Sequence, residues 1–181
     1  CMVLSSSNEG VIAMPPIYPP FLKAPINTDR QLITVPLIDQ NNKWQINFSL
    51  LEEKIAQSII KPKLLLLCNP HNPVGRMWNR DELEQLLKLV LRYDLFVCAD
   101  EIHCDLILKS SNQHVPFASL CQEAANRTIT LMSPSKTYNL AGLNCAFAII
   151  HNPKIRGNFI KTMTGLFPDL NIFGLVACQI A

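Results

Sequence analysis

An unbroken apolar run at residues 63–68, Lys-Leu-Leu-Leu-Leu-Cys, constrains the fold more than any other feature of this chain. The run has the length of a β-strand. Its apolar positions do not alternate with polar ones, so we expect both of its faces to be covered, as in the centre of a parallel sheet. Residues 95–99 and 128–132 are one residue shorter and have a similar apolar character. We predict buried strands there as well.

Helical patterns lie between these strands. Asn79 and Glu82 have the spacing of a helix cap, and apolar residues then recur at helical spacing from Leu83 to Leu91. An earlier helix is predicted to begin with Ser49 as its N-cap and Glu52 as its capping-box partner. Its apolar side would carry five residues: Leu50, Leu51, Ile55, Ile59 and Ile60.

Three further strands and a late helix complete the predicted elements. Strands are expected at residues 10–14, 31–38 and 144–150, and Pro36 favours an edge or irregular position for the second of them. Pro153 begins a predicted helix that reaches about Met163, and residues 165–169 are a predicted break. This alternation predicts an α/β fold with three αβα layers and a mostly parallel sheet that has helices on both faces. At 181 residues, the chain is long enough for one well-buried domain.

The loop at residues 133–142 carries the most informative chemistry. Lys136 follows the predicted strand at 128–132, and the hydroxyls of Ser133 and Ser135 lie within three residues of it. A hydroxyl can bind phosphate, and a lysine in a partly dry pocket can lose its proton and form a Schiff base. Together these residues suggest pyridoxal phosphate. A solvated lysine on a surface loop fits the same short stretch, and only the other strand ends favour the cofactor.

Polar or aromatic side chains follow four of the predicted strands. They are Tyr18, Asn72, Asp100 with His103, and Ser133 with Lys136. Because the carboxyl ends of parallel strands lie at one edge of a sheet, these side chains can meet there. A carboxylate such as Asp100 at the end of an apolar strand is costly without a cationic partner. A pyridinium nitrogen would be such a partner, and a helix cap or a salt bridge to a nearby arginine are the alternatives.

Composition and motifs exclude several classes of function. The net charge of +2 and the absence of a basic run give no support for nucleic acid binding. No apolar stretch has the length of a membrane span. With six glycines and no Gly-x-Gly-x-x-Gly or Walker loop, nucleotide binding is disfavoured. The seven cysteines form no Cys-x-x-Cys pair, so we expect a reduced, cytoplasmic protein without a metal site.

Three motifs resemble those of the class I/II aminotransferases, which are pyridoxal phosphate enzymes of fold type I. The motifs are residues 68–75, 100–103 and 133–142, and they occur in family order with family-like spacing. The sequence Asp-Glu-Ile-His followed by Cys-Asp-Leu, with Tyr-Pro-Pro-Phe upstream, is most similar to the cystathionine β-lyase or carbon–sulfur β-lyase branch. The resemblance covers nearly the whole chain.

The resemblance implies a role for each residue of the candidate site. Lys136 would carry pyridoxal 5'-phosphate covalently, and Asp100 would pair with the pyridine nitrogen. Asn72 would bind the phenolic oxygen, with His103 nearby. Tyr18 would stack on the ring, and Ser133 would bind the phosphate. The implied reaction is β-elimination on cystathionine or a cysteine S-conjugate, which gives a thiol, pyruvate and ammonia. Family members are usually homodimers.

Departures from the family pattern leave alternatives open. Asn144, eight residues after Lys136, stands where the broad family has a phosphate-binding arginine. Family members are also much longer. Residues 1–181 are therefore expected to be the cofactor-binding large domain, incomplete at both ends and lacking the small C-terminal domain. An aminotransferase would use the same residues. A third possibility is a catalytically inactive, truncated binding domain.

Overall fold

A computed structural model describes residues 1–108, 113–166 and 169–181. Within these residues the backbone forms a six-stranded sheet and a separate two-stranded hairpin. The strands are β1 (Gly10–Ala13), β2 (Gln31–Thr34), β3 (Ile38–Gln40), β4 (Lys43–Gln45), β5 (Pro62–Cys68), β6 (Phe96–Asp100), β7 (Thr128–Met132) and β8 (Phe147–Ile150). The α-helices are α1 (Pro20–Asn27), α2 (Phe48–Ala56), α3 (Arg80–Arg92), α4 (Gln122–Arg127), α5 (Pro153–Met163) and α6 (Ile172–Ile180).

The strand order of the large sheet is β2-β1-β5-β6-β7-β8. All neighbours are parallel except β7 and β8, which pair antiparallel. The mostly parallel α/β fold predicted from the sequence is therefore confirmed. The order makes β1, β5, β6 and β7 consecutive neighbours, so the carboxyl ends of all four lie at one edge.

Two apolar layers cover the two faces of the sheet, and β5 contributes to both. Leu65 and Leu67 belong to a large core cluster that includes side chains from α2 and α3. Leu64 and Leu66 face the opposite cluster, which includes Ile155 of α5. Burying one such leucine contributes about 1.5–3 kcal/mol. The missing alternation in this strand is thus explained, because a polar side chain on either face would enter a core.

Helix α3 begins with the predicted capping box. The Asn79 side chain accepts a hydrogen bond from the Glu82 N–H at 2.9 Å, and the Glu82 carboxylate accepts one from the Asn79 N–H at 2.8 Å. Four of the five predicted apolar positions of this helix are buried, namely Leu83, Leu86, Leu87 and Val90. Leu91 is instead 39% exposed.

The predicted start of α2 was wrong. Asn47 is the N-cap, and its side chain accepts a hydrogen bond from the Leu50 N–H at 3.1 Å. The helix begins two residues earlier than predicted, because Asn47 caps its first turn. Ser49 therefore lies inside the helix. The helix also ends at Ala56, so Ile59 and Ile60 are not part of its apolar face. Ile59 is fully exposed.

The predicted strand at residues 31–38 is divided. β2 ends at Thr34, and Ile38 belongs to the hairpin of β3 and β4, opposite Gln45. Pro36 separates the two strands, since proline has no N–H to donate to a neighbouring strand. β8 is shorter than predicted because Asn144 adopts a left-handed conformation with φ of 50°. The predicted break begins at Gly165, which has φ of 81°, while residues 167 and 168 lie outside the described residues.

Candidate active site

Hydrogen bonds beyond the last strand residues keep the sheet edge ordered where the site lies. Asn69 N–H donates to the Asp100 carbonyl at 3.0 Å, and Glu101 N–H donates to the Leu131 carbonyl at 3.0 Å. Cys68, Asp100 and Leu131 are aligned in register across β5, β6 and β7. The segments that follow these strands therefore leave the sheet side by side.

Tyr18 and Asn72 are joined through their backbones. The Tyr18 N–H donates to the Asn72 carbonyl at 2.9 Å, which links segments 54 residues apart. The Asn72 N–H in turn lies 3.4 Å from the Cys68 sulfur, so Asn72 is fixed to the end of β5. The Tyr18 side chain is 48% exposed. Its ring is free to contact a ligand.

Asp100 is half-buried at the end of β6. One carboxylate oxygen accepts a hydrogen bond from the Ile102 N–H at 3.2 Å, and within the described residues Asp100 has no ion-pair partner. Burial raises the pKa of this carboxyl above its usual 3.8, while the Ile102 hydrogen bond and the charges of His103 and Lys136 act in the opposite direction. A cation placed against Asp100 would therefore be bound strongly.

Lys136 lies in a turn that follows β7. Backbone hydrogen bonds from Tyr138 to Pro134 (2.9 Å) and from Leu140 to Ser135 (3.0 Å) shape this turn. The Lys136 side chain is exposed, and in the described part of the chain it forms no salt bridge. Its charge is close enough to lower the pKa of Asp100. The amine is thus available at the same sheet edge as the carboxylate.

Ser133 has a structural task in this loop. Its hydroxyl donates to the Cys145 carbonyl at 2.6 Å and accepts a hydrogen bond from the Ser135 N–H at 3.1 Å. These bonds connect the start of the lysine turn to the segment that leads into β8. To donate to a phosphate, the Ser133 hydroxyl would have to give up its hydrogen bond to the Cys145 carbonyl. The neighbouring Ser135 is exposed to a similar degree, and its hydroxyl makes no hydrogen bond among the described residues.

His103 lies on the turn after β6 and is half-buried. Together with Asn72 it lines a cavity of about 470 Å³, whose wall also includes Arg76 and Met77. The structure therefore brings all six predicted residues to one edge of the sheet. Tyr18, Asn72, Asp100 and Lys136 present free or nearly free side chains, whereas the Ser133 hydroxyl is engaged with the backbone.

Two residues of this edge were missed by sequence reasoning. Glu101 is only 1% exposed, and its carboxylate binds His114 Nε2 at 3.0 Å and the Phe117 N–H at 2.9 Å. His71 is equally buried and bonds to the Pro16 carbonyl at 3.0 Å. A second carboxylate directly after Asp100 was a usable signal, because a buried charge requires a partner. The partner of His71 lies 55 residues away in sequence and gave no local signal.

The described residues contain neither a membrane-spanning helix nor a cluster of potential metal ligands. None of the helices there is long and apolar enough to cross a membrane. In the same residues, no group of three or more histidine, cysteine, aspartate or glutamate side chains is arranged to bind a metal ion.

Comparison with known proteins identifies the family. The family model for aminotransferase class I and II matches residues 1–170. Cystathionine beta-lyase PatB of Bacillus subtilis is 38% identical over 175 residues, which cover 96% of this chain and 44% of that protein.

Two solved structures have closely similar folds. The crystal structure of OvoB superposes with a TM-score of 0.92 at 43% identity, covering 98% of this chain and 46% of that one. Cystalysin from Treponema denticola, which contains a pyridoxal 5'-phosphate cofactor, has a TM-score of 0.92 at 38% identity, covering 99% and 45%. The chain thus spans about half the length of the proteins that it matches. These 181 residues belong to the class I and II aminotransferase family.

Proposed function

We propose that the natural protein carrying this chain is a pyridoxal phosphate-dependent carbon–sulfur β-lyase, and that residues 1–181 are its cofactor-binding large domain. The observation that carries the proposal is Asp100. Its carboxylate is half-buried, has no ion-pair partner among the described residues and lies near the amine of Lys136. A protonated pyridine nitrogen is the kind of cation that this carboxylate would bind.

The residues of the sheet edge fit the cofactor's other groups. Lys136 would bind it covalently, Asn72 and His103 would lie beside its phenolic oxygen, and Tyr18 would stack on its ring. Ser133, with the freer hydroxyl of Ser135 next to it, would contact the phosphate. Bound pyridoxal phosphate supplies an electron sink for the negative charge that forms when a substrate loses its Cα proton.

Lys136 has a second role in the proposed reaction. Its amine, when not bonded to the cofactor, would take the Cα proton of the substrate, because it is held close to the reacting atoms. Asp100 favours the charged form of the ring nitrogen throughout, since ionised Asp100 stabilises a neighbouring cation. The electron pair of the broken Cα–H bond would then form a double bond between Cα and Cβ, and the pair of the Cβ–S bond would leave with the thiolate. Hydrolysis of the remaining fragment gives pyruvate and ammonia.

Relatives support the lyase over other chemistry. PatB is named a cystathionine beta-lyase, and it is 38% identical over nearly the whole of this chain. We therefore propose cystathionine or a related cysteine S-conjugate as the substrate. The second candidate is an aminotransferase, which the family model supports. It would use the same residues and would differ in returning the proton to the cofactor instead of expelling a thiol.

We also propose a cytoplasmic homodimer. All seven cysteines are free thiols, which suits a reducing compartment. Several large apolar side chains of β8 and α6 are exposed, among them Phe147, Ile149, Ile172 and Phe173. Surfaces of this kind often form protein interfaces.

The test separates the two enzyme activities. The natural protein is incubated with cystathionine and pyridoxal phosphate, without a keto acid, and pyruvate and free thiol are measured. We expect equal amounts of both from the parent protein, none from Lys136→Ala, and parental amounts from Lys161→Ala, which removes an exposed lysine of α5. Amino-group transfer that requires an added keto acid would favour the aminotransferase. No reaction of either kind would contradict the proposal.

A further inference from the structure

We propose that His71 is a positioning residue that holds the Tyr18 loop (residues 14–19) against the Asn72 loop (residues 69–76). The inference rests on the proposed function, in which Tyr18 and Asn72 both contact the cofactor. His71 itself would not touch the cofactor. It would act by fixing the distance between the two side chains that do.

Two hydrogen bonds connect the loops. His71 Nε2 lies 3.0 Å from the Pro16 carbonyl, two residues before Tyr18. The Tyr18 N–H donates to the carbonyl of Asn72, the residue after His71, at 2.9 Å. One bond alone would leave the Tyr18 loop free to pivot about it. Two bonds at neighbouring positions fix the orientation of the loop as well as its distance.

The Tyr18 loop takes hydrogen-bond donors from outside itself. Residues 15, 16 and 19 are prolines, which have no N–H, so the loop has few backbone donors of its own. The Pro15 carbonyl accepts a hydrogen bond from the Leu37 N–H at 2.7 Å. His71 supplies such a donor to Pro16. The loop is stiffened by its prolines and attached by the imidazole.

The imidazole is itself held in place. His71 is only 1% exposed. Its backbone bonds to Arg76 (2.6 Å) and Gly75 (2.8 Å) close the Asn72 loop, and its ring packs edge-on against Trp78 with centroids 5.5 Å apart. A side chain fixed on all sides transmits the position of its own loop to the loop that it binds.

The protonation state agrees with this role. A carbonyl only accepts, so Nε2 must carry the proton. Burial lowers the pKa of His71, and the neighbouring carbonyls of Pro16, Met14 and Cys68 act in the opposite direction without reversing the shift, so the neutral ring is favoured. Nδ1 is buried and has no hydrogen-bond partner of good geometry among the described residues, so no second bond requires a charged imidazole. His71 thus acts as a neutral donor through Nε2.

The experiment compares four variants of the natural protein by titrating the cofactor-free form with pyridoxal phosphate. His71→Leu fills the space without a donor, and we expect its dissociation constant to rise about fivefold to tenfold, the worth of roughly one hydrogen bond. His71→Gln can place an amide N–H near the Nε2 position and should stay within about twofold of the parent. His71→Asn is too short and should resemble the leucine variant. His151→Leu, an exposed control, should bind as the parent does.

A double-mutant cycle distinguishes positioning from general stability. If His71 acts through Tyr18, His71→Leu should have little further effect on the dissociation constant in a Tyr18→Leu background. Additive effects, or equal binding by the glutamine and asparagine variants, would overturn the inference. If His71→Leu fails to fold, the comparison of glutamine with asparagine decides alone. Parent protein that binds no cofactor would overturn the proposed function and the inference with it, whereas tight binding by both parent and His71→Asn would overturn only the inference.

Discussion

Asp100 has opposite effects on stability and on the proposed function. Its half-buried carboxylate lacks a cationic partner among the described residues. Partial desolvation of that charge therefore lowers the stability of the cofactor-free protein. Residues selected for binding often have this character, because the interaction that would stabilise them comes from the ligand.

A pH-dependent stability effect follows at Asp100. Its pKa in the folded protein is raised above the usual 3.8, so between these two pKa values the folded state binds more protons and stability falls as pH rises. We expect Asp100→Asn to make the cofactor-free protein more stable than the parent at pH 7. The difference should vanish below about pH 3.8, where the parent carboxyl is protonated in both states.

Thermal unfolding of the cofactor-free proteins at several pH values measures this difference. Asp39→Asn, at an exposed position of β3, is the matched control and should not show it. A cofactor-free Asp100→Asn protein that is less stable than the parent at pH 7 would contradict the description of Asp100 as an unpaired, partly buried charge.

The same substitution should have the opposite effect on activity. An amide cannot stabilise a protonated ring nitrogen by charge, so we expect turnover of the natural protein to fall about 100-fold or more, as when other stabilising groups are removed from active sites. Steady-state assays of thiol release measure it. Turnover within a few-fold of the parent would count against the proposed role of Asp100.

The sequence predicted some site residues better than others for a physical reason. Asp100 and Lys136 were identifiable because a charge at the end of an apolar strand is unusual in any fold. The engagement of Ser133 depends on the Cys145 carbonyl, which is 12 residues away and close only after β8 folds back. His71 depends on a partner still more distant in sequence. Residues whose roles depend on such partners cannot be recognised from local pattern.

Capping illustrates the limits of prediction at the level of elements. Asn47 and Ser49 are both plausible N-caps of α2, and a Glu three residues after Ser49 favoured the wrong one. In the structure, Asn47 is the N-cap of α2. The earlier start leaves the apolar face of the helix unchanged, and Leu51 and Ile55 are buried as predicted.

A pair of substitutions tests this assignment. Asn47→Ala should lower the free energy of unfolding by about 1 kcal/mol, because it removes the acceptor of the Leu50 N–H. Ser49→Ala should change it by less than about 0.5 kcal/mol, since this position is an exposed site inside the helix. Urea denaturation of both variants gives the comparison. A larger loss of unfolding free energy for Ser49→Ala than for Asn47→Ala would support the capping box predicted from the sequence.

Elements with a continuous apolar run or a helix-start signal were predictable, and the small hairpin was not. β7 and α5 have the predicted bounds, and β5 and β6 differ from them by a residue. Their apolar patterns are long and face a core. The hairpin of β3 and β4 turns at Asn41 and Asn42, which adopt φ of 57° and 60°. Asparagine tolerates this conformation, but two short, partly exposed strands give too weak a pattern to reveal the turn.

The distribution of apolar surface is uneven across the whole molecule. The region of α2 and α3 is well covered, whereas β8 and α6 expose several large apolar side chains. Phe173 of α6 is 75% exposed. The sequence predicted a strand at residues 144–150 and gave no prediction for α6, and it could not show that either segment is exposed, because exposure depends on what else packs there.

Self-association is the expected consequence for the 181-residue chain. Phe173→Ser should weaken association and change the free energy of unfolding by less than about 0.5 kcal/mol, because the side chain is exposed. Ile59→Ser is the control, since Ile59 is exposed on another part of the molecule. Sedimentation equilibrium measures the association constants. Equal effects of the two substitutions would show that the apolar surface of α6 does not drive association.

At the scale of the whole molecule, we propose that four neighbouring strand ends build one cofactor site in which Lys136 is the point of attachment. Borohydride reduction of the natural protein with pyridoxal phosphate, followed by peptide mapping, tests it most directly. The account predicts a stable label on Lys136, lost in Lys136→Ala and kept in Lys161→Ala. A label on a different lysine, or none on the parent protein, would contradict it.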